Sequence, residues 1–286
     1  MVQPFDYDIA FSRNQGFISP EEQARLRQAR VAIAGLGGTG GAQVLALARL
    51  GIGRFHLADP DTFELVNFNR QSGATMANLD RKKTDVAREA VLDVNPDAEI
   101  GCFDQGIGPG NIAAFLEEVD VVVDSLDFYC FEERFLLYRE ARNRGIWVLT
   151  APPLGFGFTL LMFDPNGMRF EDYFGFREGM TERDRVVALV AGIAPRPYML
   201  RYMDRSRPDV KGRRLPSVGA APFMIAGVIA TEVAGLLLRK GKPMAAPTVY
   251  QFDALLRRFR RKTYVWGMRG PLQRLRRAIL HRVLPR

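Results

Sequence analysis

Cysteine and histidine are nearly absent from this chain of 286 residues, with two of each: Cys102, Cys130, His56 and His281. Two cysteines exclude a disulfide scaffold and a four-cysteine zinc site, so no structural zinc is expected. The histidines lack the neighbours that a zinc site or a catalytic triad needs. Long apolar runs are scarce too. The one candidate, Val218 to Leu238, contains Pro222 and Glu232, which fits a packed helix better than a membrane span. Met1 to Asp8 holds acids and no apolar stretch, so no signal peptide and a cytoplasmic location are expected. No internal repeat occurs and no stretch has a disordered composition. What is present is 47% hydrophobic content, 25% charge and a net charge of +8, enough to bury a core in one large α/β domain or a domain with a subdomain.

The informative stretch begins at Arg30. Val31, Ala32, Ile33 and Ala34 read as a buried strand that runs into Gly35, Gly37, Gly38 and Gly40, and an apolar helix follows through Gln43 to Leu50. Glycines at these places let a strand turn tightly into a helix, whose free amides and positive dipole end then face an anion. A second strand, Arg54 to Ala58, ends at Asp59, where a dinucleotide fold places the carboxylate that binds a ribose. To this point an NAD site and an ATP site look alike. A triphosphate asks for several cationic donors and a metal-holding carboxylate. Arg70 lies eleven residues after Asp59, and Lys83 thirteen beyond Arg70, at the start of an expected helix. The apolar strand Val119 to Val123 leads into Asp124-Ser125-Leu126-Asp127, which puts Asp127 at a strand's carboxyl end. The plainer alternative makes Arg70, Lys82 and Lys83 solvated charges and Asp127 the cap of a helix from Phe128 to Arg144.

In order, these residues resemble the ThiF/MoeB family, bacterial relatives of ubiquitin-activating enzymes. The family pattern of Gly-x-Gly-Gly-x-Gly, Asp-x-Asp, Asn-x-x-Arg-Gln, a lysine and a carboxyl-end aspartate is matched by Gly35 to Gly40, Asp59 and Asp61, Asn67 to Gln71, Lys83 and Asp127. Phe11 to Gln15 resembles the family's N-terminal segment, and Pro152 to Phe158 its later glycine-rich strand. The match runs from about residue 10 to 165, with a weaker one over 222–238. The resemblance implies an α/β fold: a Rossmann-like, doubly wound, mostly parallel sheet flanked by helices. It implies ATP-dependent adenylation of a carboxylate, giving an acyl-adenylate and pyrophosphate. Gly35, Gly37, Gly38, Gly40, Asp59, Asp61, Asn67, Asn69, Arg70, Gln71, Lys83, Leu126 and Asp127 would bind the nucleotide, Asn67 fitting the spacing to Arg-Gln better than Asn69. Arg70, Lys83 and Asp127 would be catalytic, Asp127 holding Mg²⁺. Arg13 would join them from the neighbouring subunit of a homodimer.

The implied substrate is the C-terminus of a small ubiquitin-like or sulfur-carrier protein, or a peptide. An enzyme resembling the tRNA threonylcarbamoyladenosine dehydratases is the alternative that the basic tail suits, although the Ser12 to Gln15 segment looks more like the carrier-activating branch. A non-catalytic nucleotide- or metabolite-binding scaffold is another. The chain departs from the family in three ways. It lacks the two Cys-x-x-Cys pairs. No cysteine follows Cys130, so transfer is expected to stop at the adenylate. The usual Asp-Asn pair is Asp127-Phe128, with Arg134 farther along than usual. Cys130 itself reads better as a small buried hydrophobe than as a reactive thiol.

Five segments are expected: an N-terminal helical arm (1–29), in which the capping box Ser19-Pro20-Glu21-Glu22 starts a helix through Gln28; the nucleotide-binding adenylation fold (30–168); an irregular substrate-covering or crossover segment (169–216), basic at Arg201, Arg205, Arg207, Lys211, Arg213 and Arg214; a packed helix and final strand (217–255); and a basic amphipathic tail (256–286). In the tail Leu272, Leu275, Ile279 and Val283 recur at helical spacing among arginines. Its partner is left open between an anionic membrane surface, RNA, another protein, and the domain or dimer mate itself.

Overall fold

The computed structural model describes residues 4–204, 206 and 215–283. Arg205, Arg207, Lys211, Arg213 and Arg214 of the basic stretch lie outside the described residues.

Eight strands form one sheet: β1 (Arg30–Ala34), β2 (Arg54–Ala58), β3 (Glu99–Phe103), β4 (Val121–Asp124), β5 (Trp147–Thr150), β6 (Gly157–Phe163), β7 (Thr248–Asp253) and β8 (Arg258–Thr263). Their order is β3-β2-β1-β4-β5-β6-β7-β8. The first five pair in parallel and the last three join antiparallel, so β3 and β8 are the two edges. The helices are α1 (Tyr7–Ala10), α2 (Pro20–Gln28), α3 (Gly40–Arg49), α4 (Lys83–Leu92), α5 (Ile112–Phe115), α6 (Phe131–Asn143), α7 (Phe170–Phe174), α8 (Glu182–Ile193), α9 (Ala220–Leu238) and α10 (Pro271–Val283).

Two hydrophobic layers cover the sheet. One joins Val31, Ile33 and Leu57 to Leu26 of α2, Val44 and Leu47 of α3, and Ile225, Ile229 and Val233 of α9. The other joins Ala32, Ala34 and Val122 to Leu137 and Tyr138 of α6, Tyr173 and Phe174 of α7, and Leu189 of α8. The inner parallel strands β1, β2 and β4 are buried on both faces, which explains why β1 and β4 read as unbroken apolar runs rather than as alternation, whereas the edge strand β3 is partly exposed. The apolar run Ala220–Leu238 is the core helix packed on α3 and α2; it is also the one described helix long and apolar enough to cross a membrane.

Side-chain caps set the starts of α1, α2 and α8. Ser19 Oγ accepts the Glu22 N–H at 3.3 Å and the Glu22 carboxylate accepts the Ser19 N–H at 2.8 Å, the capping box expected for α2. Thr181 and Asp184 form a second box at α8. Two expectations are corrected. The helix expected from Phe128 begins at Phe131, because Asp127 Oδ1 instead accepts the Tyr129 N–H in a tight turn. Part of the segment expected to be irregular is regular: α7 and α8 occupy it, with Tyr173, Phe174, Val187 and Ala188 in the core.

Candidate functional site

The strand order reverses between β1 and β4, which lie side by side with Ala34 paired to Asp124. Two loops leave their carboxyl ends together, forming the crevice in which open α/β sheets bind ligands.

The first loop is the glycine turn, and its glycines divide the work. Gly35 has φ +91°, and a Cβ there would overlap the Ser125 carbonyl of the second loop. A Cβ on Gly40 would overlap the Gly35 carbonyl. These two let the loops close on each other. Gly37 and Gly38 are different: a Cβ would find only Gln71 Nε2 at 3.6 Å and Arg70 Cγ at 3.8 Å. Their backbone faces the Arg-Gln pair, with room for a methyl group between them, just before the N-terminal end of α3.

Asp59, 6% exposed, ties this turn to the next strand. Its Oδ2 accepts the Leu36 N–H at 2.7 Å and its Oδ1 the Asp61 N–H at 2.9 Å. Lys83, 5% exposed, brings its Nζ to 2.7 Å from Asp61 Oδ2 and 3.5 Å from Asp59 Oδ1. The start of α4 is pinned around it: the Lys83 N–H donates to the Asp61 carbonyl, while Lys82 Nζ and Thr84 Oγ1 both donate to Asp104. The Lys82 bond, then that from Thr84, holds the Asp104 carboxyl below its ordinary range. Lys82 is thus the half-exposed clamp on Asp104, and Lys83 is the buried one, turned toward Asp59 and Asp61.

Asn67 shapes the turn rather than reaching out of it. It is buried, its Oδ1 accepts the Glu64 N–H at 3.0 Å, and its carbonyl accepts the N–H groups of Arg70 and Gln71. Asn69 is exposed and bonds the Ser217 carbonyl just before α9. Arg70 Nη1 donates to the Val66 carbonyl and to Asn69 Oδ1; its Nε and Nη2 have no protein partner among the described residues. Gln71 is buried, and its Oε1 is without a partner. An unpaired buried oxygen beside an open glycine backbone is costly unless a ligand donor meets it.

The second loop rests on a cluster that the sequence reading missed. Asp124, 3% exposed, accepts Arg134 Nε at 2.9 Å, Tyr138 Oη at 3.1 Å and the Leu126 N–H at 3.1 Å. Arg134 Nη2 then donates to the carbonyls of Leu126 and Asp127 at 2.8 and 3.1 Å. Arg134 and Tyr138 stand one helical turn apart on α6, and that i, i+4 polar pair within an apolar face was the available signal. Burial raises the Tyr138 hydroxyl well above its ordinary value, so it stays protonated at neutral pH and donates to Asp124. Asp127 itself is exposed beyond this scaffold. Among the described residues no cluster of three or more His, Cys, Asp or Glu is arranged for a metal. A lone carboxylate does suit Mg²⁺, which arrives on phosphates and keeps several waters.

Arg13 is not part of this cluster within one chain. The adjacent Asn14 bonds the Leu50 carbonyl, at the opposite end of α3 from the glycine turn. Cys130 is half-buried at the start of α6, and burial pushes its thiol up to about 11, so it stays protonated and inert. His56 is a core residue whose Nδ1 lies 2.9 Å from the Phe115 carbonyl, and burial lowers its pKa.

A family model described as "ThiF family" matches residues 11–264. A tRNA threonylcarbamoyladenosine dehydratase of Haemophilus influenzae is 37% identical over 128 residues, 44% of this chain and 49% of that one. The sulfur carrier protein ThiS adenylyltransferase of Escherichia coli is 31% identical over 148 residues, 52% of this chain and 58% of that one. The chain therefore spans about half the length of these curated relatives. Among solved structures, Escherichia coli MccB with MccA-N7isoASN superposes with a TM-score of 0.69 at 19% identity, covering 94% of this chain and 74% of that one. PaaA gives 0.68 at 18%, covering 92% and 75%. These superpositions establish a shared fold.

Proposed function

Because this chain belongs to the ThiF family, we propose that it activates a carboxylate by ATP-dependent adenylation. The substrate oxygen attacks the α-phosphorus, the bond to the bridging oxygen breaks, and pyrophosphate leaves with the electron pair. The observation that supports this most is that Gln71 and Arg70 lie against Gly37 and Gly38, while Lys83 reaches Asp59, the carboxylate that holds the same glycine turn through the Leu36 N–H.

The residues divide the labour in physical terms. In-line attack at phosphorus needs positioning and neutralisation of spreading charge, with no protein nucleophile. An ammonium has three donors; two carboxylates engage Lys83 and leave one for a phosphate oxygen. Arg70 offers Nε and Nη2. Asp59 retains lone pairs for the ribose hydroxyls, and Gln71 Oε1 takes a donor from the nucleotide or substrate. Asp127 is the residue we assign to Mg²⁺, which would supply neutralisation of the phosphate charge there. Pyrophosphate exchange into ATP, dependent on an added carboxylate, tests this. Asp127→Ala should abolish exchange while leaving nucleotide binding; a chain that binds ATP and never exchanges would be a scaffold instead.

The carboxylate we favour is the C-terminus of a small sulfur-carrier or ubiquitin-like protein or of a peptide, since a thioester step has no cysteine after Cys130 to use and the reaction can end at the adenylate. The Haemophilus relative's name supports a second reading, activation of a carboxylate carried on tRNA. Exchange stimulated by a tRNA fraction and not by a carrier protein would select it.

Gly37→Ala should fold normally, since its methyl meets only Gln71 at contact distance, yet bind ATP about tenfold more weakly in calorimetry because the methyl occupies the phosphate approach.

We also assign a homodimer in which Arg13 serves the partner's nucleotide. Phe17 is 88% exposed and Phe223 on α9 is 62% exposed, and the Phe17 carbonyl receives Lys240 Nζ just beyond the C-terminal end of α9. Arg13→Ala and Arg70→Ala proteins should each lose most activity. Mixed and re-equilibrated, they should regain about a quarter of it, because half the dimers are mixed and each of these has one intact site. A mixture as inactive as its parts would show that Arg13 does not serve the partner's site.

A further inference from the structure

We propose that α10 is a docking face for an anionic phospholipid surface. The helix is seated the wrong way round for a core element. Its polar side faces the domain: Arg276 Nη1 donates to the Pro195 carbonyl at 3.2 Å, the His281 carbonyl accepts Arg183 Nη2 at 2.7 Å, and His281 Nε2 lies 3.0 Å from Asp184 Oδ1. Gln273, Arg277 and Leu280 are half-buried on the same side.

The apolar stripe faces away. Leu272, Leu275 and Ile279, at i, i+3 and i+7, are 55%, 58% and 51% exposed. A soluble domain ordinarily buries such a stripe, and here the docking of the opposite face makes that impossible without detaching the helix. Exposed Arg274 and Arg282 flank the stripe, and exposed Val265 and Trp266 precede the helix, with Trp266 against Gly270.

Charge selects the occupant. From Ala254 to Arg286 the sequence has eleven of the chain's 40 Lys and Arg and none of its 32 Asp and Glu, so the remainder of the chain is net negative. A second copy seated on this face would bring the same cations against these. Nucleic acid would meet the arginines but leave three aliphatic side chains with nothing to cover them. An anionic bilayer satisfies both parts: headgroups take the arginines, and the acyl boundary takes Leu272, Leu275, Ile279 and the indole of Trp266.

Flotation of the full chain with phosphatidylcholine vesicles, with and without phosphatidylglycerol, tests this. The protein should float with the anionic vesicles and stay behind with the neutral ones. Replacing Arg274 and Arg282 by Gln should weaken binding about 30-fold. The triple change Leu272→Ser, Leu275→Ser, Ile279→Ser should weaken it about 100-fold or more. All five positions are exposed, so the variants should melt as the parent does. Failure to float with anionic vesicles overturns the proposal, as does flotation that the triple change leaves intact. If the parent ignores vesicles and the triple variant sediments as a smaller assembly, the stripe is a subunit contact and the proposal falls.

Discussion

Changing Lys83 to Ala should lower the rate of pyrophosphate exchange by about a thousandfold. A single donor aimed at developing charge in a water-poor site contributes about 10² to 10³ in rate, and Lys83 combines full charge with near-complete burial. The same change should also lower stability modestly, because it removes the cation beside Asp59. That carboxylate keeps its bonds from the Leu36 and Asp61 amides, so the cost should be about 1–3 kcal/mol and the protein should remain folded at room temperature. Two separate readouts result, exchange rate and melting temperature. Lys83→Arg should fail to rescue the first, since a wider guanidinium has no room at a position only 5% exposed. Exchange within tenfold of the parent in Lys83→Ala would remove this lysine from the chemistry.

The second large effect is expected at a residue that touches no phosphate. Arg134→Met should destabilise the fold by about 3–5 kcal/mol, because it leaves the Asp124 carboxylate buried with only Tyr138 and the Leu126 amide for partners. It also releases the carbonyls of Leu126 and Asp127, which Arg134 gathers and which fix the loop bearing Asp127. Exchange should therefore fall even at temperatures where the variant is folded, and raising Mg²⁺ should recover part of it. Arg134→Met combined with Asp124→Asn should regain much of the stability, since neither charge is then stranded. Equal melting temperatures for the single and double variants, measured by calorimetry, would show that the pair is not coupled.

The contrast between these residues explains what could be read from the sequence. The positions of Gly35 to Gly40 and Asp59 were legible because they follow strand ends, and the strands declare themselves by unbroken apolar runs; Arg70, Gln71 and Lys83 stood out only through the family pattern. Asp124 with Arg134 and Tyr138 was not, because the pairing links a strand to a helix across an intervening turn. That turn also displaced the start of α6 by three residues, since Asp127 bonds locally rather than capping a helix. The α8 segment escaped for a different reason. It is covered on nearly every side, with Val186, Val187, Ala188, Leu189 and Ala191 all buried, so it has no polar face to mark a helical period. For α10 the reverse held: its period was plain, but which face would meet the domain depended on Pro195, Asp184 and Arg183, far away in the chain.

The sheet's last strand has a consequence for how the protein behaves at high concentration. Among the described residues β8 is an edge, with backbone donors and acceptors on one side that no neighbouring strand uses. Such an edge would normally recruit the same strand of another molecule and grow into an aggregate. In β8 the run Arg258-Phe-Arg-Arg-Lys262 places four cations along five residues, so two such edges brought together antiparallel would set positive charge against positive charge along most of the run. Solubility should therefore be greatest in dilute buffer and fall as salt screens that repulsion, the opposite of what the protein's ordinary surface ion pairs would lead one to expect.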